Sequence, residues 1–265
     1  MSGDGTVGKA CEVLDQVAAF ERPVRFGELL TSSPFPKATL YRFLQTLTSQ
    51  GMLVYDPDRQ TYALGMRLVR LAHAAWMQSS LAPIARPMLD ALSQDVGETV
   101  HLAQLDNAQV LYVDKRNAAD PIQMFSQAGR IGPAYCTGVG KAMLAFLPEQ
   151  AQSRAIAQQS FHRFTPHTVV SADAFRDELN QIHQSGFAFD REEHEPGIIC
   201  VAKPILSPGG HVLGALSITG ATARTTLDQL ESWVPRLNQT AHAIAFEAEA
   251  WRFPEDRAPK TGIEL

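Results

Sequence analysis

The chain has 265 residues, 45% apolar and 19% charged, which suits two globular domains with real cores and excludes a disordered or low-complexity protein. Its net charge is -5, and no apolar run approaches the roughly 18 residues that span a bilayer. The opening Met1-Ser2-Gly3-Asp4-Gly5 has no basic segment ahead of an apolar one, so a cytoplasmic chain with no membrane partner is expected. Cys11, Cys136 and Cys200 are odd in number, widely spaced and in no CxxC pair, which argues for a reducing compartment and against a disulfide framework or structural zinc.

The first periodic stretch, residues 7–20, places Val7, Ala10, Cys11, Leu14, Val17 and Ala18 at helical spacing and ends at Arg22-Pro23. A short helix follows around residues 26–30, then the polar, proline-marked turn Thr31-Ser32-Ser33-Pro34-Phe35-Pro36. Ser33 is expected to cap the third helix and Pro36 to sit in its first turn. That helix, residues 36–47, carries Leu40, Phe43, Leu44 and Leu47 at i, i+3, i+4, i+7, with Lys37, Thr39, Tyr41, Arg42 and Gln45 largely on the other surface. Gly51 is the expected stop. Residues 52–55 and 62–64 are short strands flanking the turn Asp56-Pro57-Asp58-Arg59-Gln60. Three helices closed by a hairpin make a winged helix-turn-helix. Its third helix offers long or hydroxylated side chains at its N-terminal end, where a recognition helix meets bases and phosphates. The DNA-binding candidates are Pro36, Lys37, Ala38, Thr39, Tyr41 and Arg42, with Arg59 on the hairpin turn. A helical packing module without a DNA role is the bland alternative.

Charge supports the DNA reading. Between residues 22 and 70, Arg22, Arg25, Lys37, Arg42, Arg59, Arg67 and Arg70 face only Glu28, Asp56 and Asp58, whereas the chain from residue 83 onward is acidic. A basic end on an acidic body suits phosphate contact by that end alone.

Helical spacing continues over residues 64–77 through Leu68, Leu71, Ala72 and Ala75, with Arg67 and Arg70 exposed. Its apolar face, including Trp76, needs a partner: a second chain or its own domain. Beyond it, residues 81–95 form an amphipathic helix ending near Gly97, and residues 99–105 and 110–114 a hairpin turning at Asp106-Asn107. Helices are expected over 137–147 and 173–184, apolar strands over 198–205 and 212–219 joined at Pro208-Gly209-Gly210, and a last helix from about 226 to 251. The sum is an antiparallel sheet with helices on its faces, an α+β arrangement. Domains are read as a winged helix-turn-helix at 1–65, a linker helix at 66–82, an effector-binding domain at 83–252 and a polar tail at 253–265.

Enzyme motifs fail on inspection. Gly138-Val139-Gly140-Lys141 resembles the end of a P-loop, but Tyr135 stands where the upstream Gly belongs and Ala142 where Ser or Thr does. Cys200 lies in an apolar strand, where an inert thiol is expected, and His101, His183 and His194 lack metal-ligand spacing. No cofactor and no catalytic residue are expected. A small-molecule-binding enzyme with a structural helical module remains the alternative class.

Four stretches in this order resemble the IclR family of bacterial regulators over essentially the whole chain. They are Ala38-Thr39-Leu40-Tyr41-Arg42-Phe43-Leu44, Cys136-Thr137-Gly138-Val139-Gly140-Lys141-Ala142, the run from Asp190 to Ala202, and Gly214-Ala215-Leu216-Ser217-Ile218-Thr219-Gly220. The residues Tyr41 to Thr46 and the Trp251-Arg252-Phe253-Pro254 ending resemble its 2-keto-3-deoxygluconate subgroup. The resemblance implies a GAF-like effector domain, double-stranded operator DNA as partner, a homodimer or tetramer, and a small carboxylate or sugar-acid effector. It places the effector pocket on Met124, Gly138, Val139, Asp190, Cys200, Ser217 and Thr219. The family often has Ser where Thr219 stands and Ala or Ile at Val139, changes of shape more than chemistry. The residue types agree: Gly138-Val139-Gly140 opens a helix, where backbone N–H groups favour an anion, and Ser217 and Thr219 are two apart on a strand and share a face. Asp190 suits a ligand bearing hydroxyls. Satisfied core residues are the competing reading of Ser217, Thr219 and Cys200.

Overall fold

The structure, a computed structural model, describes residues 5–120 and 124–249. The tail at 253–265 and the Trp251 to Pro254 ending lie outside them. The chain divides into two compact units, Met1–Gln78 and Ser79–Leu265.

The first unit runs α1 (Thr6–Ala19), β1 (Val24–Arg25), α2 (Phe26–Ser32), α3 (Lys37–Ser49), β2 (Leu53–Asp56), β3 (Thr61–Leu64) and most of α4 (Met66–Ser79). Leu40, Phe43, Leu44 and Leu47 of α3 are all buried, packed with Val13, Val17, Leu29, Leu53 and Tyr62. Each such side chain contributes about 1.5–3 kcal/mol of hydrophobic stabilisation. Ser33 is not the cap. The helix begins at Lys37 with Pro36 as N-cap, too far on for Ser33 to reach its first N–H groups, and Ser33 Oγ instead accepts from the Phe35 N–H at 3.2 Å. The C-terminus is a Schellman motif: Met52 N–H donates to Leu47 O at 2.9 Å and Gly51 N–H to Thr48 O at 3.0 Å. It turns at Gly51, whose φ of +70° disfavours any side chain. β2 and β3 pair antiparallel with Tyr55 opposite Tyr62, and β1 adds a third strand with Val24 on the far side of Tyr62. At two residues β1 is too short to alternate, so sequence periodicity does not reveal it. On α4, Met66, Val69, Leu71 and Met77 are exposed.

The second unit runs α5 (Ala82–Val96), β4 (Thr99–Asp106), β5 (Gln109–Arg116), β6 (Ile131–Gly132), α6 (Gly138–Leu144), α7 (Glu149–Ala157), α8 (Ala172–Ser185), β7 (Ala188–Arg191), β8 (Ile198–Leu206), β9 (Val212–Ala221), α9 (Leu227–Ser232) and α10 (Val234–Ala248). Its sheet is antiparallel, in the order β6-β5-β4-β9-β8-β7. Helices α6, α7 and α8 pack with Ala103, Ala202 and Ala215 into one core. Helices α5 and α10 pack on each other and on the strands. Strands β8 and β9 are therefore buried nearly end to end, as a sheet covered on both faces requires. This is the α+β fold expected of the domain.

Three local expectations need correction. The β4–β5 turn is Asn107-Ala108, one residue later than read; both have positive φ (48° and 63°), the mirror-image turn that matches strand twist. The last helix is two, broken at Trp233, because Pro235 has no N–H to continue the ladder and its ring crowds the preceding turn. Helix α6 ends at Leu144, with Ala145 as its C-cap, rather than near residue 147.

Candidate functional site

Strand register assembles a polar row inside the second unit. Asp190 on β7 pairs with Cys200 on β8, and Cys200 with Thr219 on β9. Directly paired residues point to the same face, so these three side chains stand together. Two residues along, Ser217 pairs with His101 of β4. The imidazole ties the row: its Nδ1 lies 3.3 Å from Ser217 Oγ and 3.2 Å from Thr219 Oγ1, and its Nε2 lies 2.8 Å from Ser126 Oγ. The two hydroxyls are 3.4 Å apart. A buried ring with every nitrogen partnered is a satisfied histidine, and burial drives its pKa down to about 3, so it is neutral.

These residues line a narrow cavity of about 30 Å³, bounded by Thr137, Gly138 and Val139 at the start of α6 and by Tyr112, His194, Glu195 and Ile198. Gly138 permits the close approach of α6 to the sheet: a Cβ there would stand 2.4 Å from Cys200 Sγ and 3.2 Å from Ala202 Cβ. Buried among strands beside the Asp190 carboxylate, the Cys200 thiol is pushed well above its ordinary pKa, so it is an inert packing group rather than a nucleophile.

Charge in the wall is acidic. Asp190 is 7% exposed, and burial, reinforced by Glu193, pushes its carboxyl up to about 7 although the Glu193 N–H donates to Oδ1 at 2.8 Å. Behind the wall Lys141 is completely buried and donates to Glu178 at 2.6 Å and to Glu193. Burial opposes its charge, but the two carboxylates outweigh that and raise its pKa. Glu195 accepts from the Phe125 N–H at 2.9 Å, and His194 Nδ1 lies 3.8 Å from it.

Of the seven residues expected to form the pocket, Gly138, Val139, Asp190, Cys200, Ser217 and Thr219 line this one cavity. Met124 is buried but is not among its lining residues. Sequence reasoning missed His101, Tyr112, Ser126 and Glu195 as wall. A usable signal was present for His101, which shares a face with Thr99 and stands between the apolar residues Val100 and Leu102 of β4.

On the first unit, Pro36, Lys37, Ala38, Tyr41, Arg42 and Arg59 are exposed and Thr39 is half-buried. Lys37, Ala38 and Tyr41 line a shared open cleft with Arg25 and Phe26 before and within α2 and with Tyr55 and Gln60 of the wing. Phe26 meets the Tyr41 ring edge-on at 6.1 Å. Arg25, Tyr55 and Gln60 were not anticipated there. The unit's cations are not equivalent: Arg22 is paired with Glu28 at 2.6 Å, and Arg67 donates to Gln50 O at 2.9 Å. Among the described residues no group of three or more His, Cys, Asp or Glu could hold a metal ion, and no helix is long and apolar enough to cross a membrane.

Comparison with known proteins fits both units. Residues 6–57 match the family model of the IclR helix-turn-helix domain, and residues 73–246 that of the bacterial transcriptional regulator IclR C-terminal domain. The chain is 31% identical over 230 residues to the HTH-type transcriptional regulator KdgR of Dickeya chrysanthemi, covering 87% of this chain and 75% of that one. It is 30% identical to KdgR of Escherichia coli, covering 90% and 91%. Among solved structures, the Thermotoga maritima IclR superposes with a TM-score of 0.73 at 28% identity, covering 91% of this chain and 98% of that one. The C-terminal domain of E. coli KdgR superposes with a TM-score of 0.57 at 29% identity, covering 63% and 97%.

Proposed function

The chain belongs to the IclR family of bacterial transcriptional regulators, and from that premise we propose how its two units divide the work. The winged head binds double-stranded operator DNA through Pro36, Lys37, Ala38, Thr39, Tyr41 and Arg42 at the recognition helix, with Arg59 on the wing. The cavity at Gly138, Val139, Asp190, Cys200, Ser217 and Thr219 holds a small effector, a carboxylate of the keto-deoxy sugar-acid class. The protein acts in the cytoplasm as a homodimer or tetramer, and the exposed Met66, Val69, Leu71 and Met77 of α4 are apolar surface available for assembly.

The observation that carries this reading is the polar row across β7, β8, β9 and β4. Asp190, Ser217, Thr219 and His101 converge on one narrow space, beyond what packing requires. A space of about 30 Å³ holds little more than a water. A sugar acid therefore binds only as the wall moves, and a ligand that favours the opened wall shifts the population of domain arrangements. Half-sites read by two recognition helices lie about one helical turn of DNA apart, so such a shift changes operator affinity.

Two measurements test this. A gel shift with DNA upstream of the protein's own coding region should show specific binding, abolished in the combined Lys37→Ala, Thr39→Ala, Arg42→Ala variant; unchanged binding would remove the recognition-helix assignment. A thermal-shift screen of keto acids and sugar acids should give a rise that Ser217→Ala with Thr219→Val removes. A flat screen counts against the cavity as the effector site.

A further inference from the structure

We propose that the cavity admits an acidic ligand only together with a proton, Asp190 becoming a neutral hydrogen-bond donor to the ligand as the anion enters. The inference rests on reading this cavity as the effector site and specifies the form in which the effector is held.

It follows from a count of the charges that face Asp190. Among the described residues lining the cavity none is Lys or Arg, while Asp190 and Glu195 both do so. From α6, Lys141 approaches from behind, already shared between Glu178 of α8 and Glu193 of the loop after β7. From β5, Lys115 donates to Ser126 O at 2.9 Å and sits near Glu195. Two lysines thus face four carboxylates. His101 from β4 is neutral, and His194, itself on the cavity wall, lies against Glu195. From β5, β8 and the residues before α6 come Tyr112, Cys200 and Cys136, three groups that add no positive charge.

An anion entering this wall would find no Lys or Arg lining it and a carboxylate within reach, an arrangement that disfavours both charges in a buried site. One proton resolves the conflict. A protonated Asp190 offers its O–H to the ligand while its other oxygen keeps the Glu193 N–H, so both remain satisfied. The proton comes from solvent and no covalent bond to the ligand forms. Burial already holds the Asp190 carboxyl near pH 7, so the uptake is small in cost at neutral pH.

The test is isothermal titration calorimetry of the full-length protein with 2-keto-3-deoxygluconate. It is run at pH 8 in Hepes and in Tris, whose ionisation enthalpies differ, and at pH 6 in Mes and in Bis-Tris. The expected result is uptake of about one proton per site at pH 8, falling toward zero at pH 6, with affinity about tenfold weaker for each pH unit above neutrality. Asp190→Asn should bind the acid with no proton uptake and with affinity that no longer depends on pH. Binding with equal enthalpy in both buffers overturns the inference and leaves the site standing. Tighter binding of the neutral polyol sorbitol than of the acid at pH 8 also overturns it. Absence of heat with either probe removes the effector-site reading, and this inference with it.

Discussion

In the head, Lys37, Tyr41 and Arg42 stand on the outer face of a helix whose other face, Leu40, Phe43, Leu44 and Leu47, is buried. In the effector unit His101, Asp190, Ser217 and Thr219 are themselves buried, each at 7% exposure or less. The head separates stability from function by face, so a change on the outer surface should alter DNA affinity and leave folding alone. The second unit places its proposed effector-binding groups within the core, so a change there should alter stability and ligand response together.

The strongest test of that contrast is Lys141→Met. Removing a fully buried cation leaves Glu178 and Glu193 facing each other, which should destabilise the effector unit by about 3–5 kcal/mol, read as a lowered thermal transition of that unit. An unchanged melting temperature would mean the network carries no charge. Next is Arg42→Ala, expected to weaken operator binding by about 1–3 kcal/mol in fluorescence anisotropy without moving the melting temperature. A fall in stability of similar size would dissolve the separation by face.

A pH effect sharpens the contrast further. The folded-state pKa of Asp190, about 7, lies above its ordinary value of 3.8. The folded protein therefore holds this proton more tightly than the unfolded chain, and stability falls as pH rises from about 4 through about 7. Asp190→Asn removes that loss, so its melting temperature should exceed the parent's by a few degrees at pH 8 and by much less at pH 5. Equal shifts at both values would show that Asp190 titrates normally. The smallest effect is expected of Arg22→Ala: an exposed pair with Glu28 should leave both stability and operator affinity within error, and a clear loss of affinity would make Arg22 a phosphate contact.

The same contrast explains what sequence could reveal. The outer face of α3 is legible because burial of its partner face imposes a 3.6-residue period on one short segment. The cavity is not, because its wall is joined by strand register: His101 and Ser217 meet across 116 residues, and Asp190 belongs to a four-residue strand with no period of its own. Ser217 and Thr219 alone read equally well as core hydroxyls; the resemblance, not their spacing, singled them out. Short elements such as β1, β6 and β7 exist because neighbours complete their hydrogen bonds, a cause invisible in their own residues. The break at Trp233 carries a sequence signal in Pro235, which suits the first turn of a new helix better than the interior of one long helix.

The central claim is that the buried cavity governs the exposed helix. Operator affinity should therefore be measured by fluorescence anisotropy with and without 2-keto-3-deoxygluconate, for the parent protein and for Ser217→Val, which replaces a hydroxyl with two methyl groups inside the cavity. The account predicts that the ligand changes the parent's operator affinity about tenfold, within the usual range of coupling between sites. The variant should bind DNA as the parent does in the absence of ligand and lose the response. A variant that responds as fully as the parent, or that loses DNA binding outright with its fold intact, would contradict it.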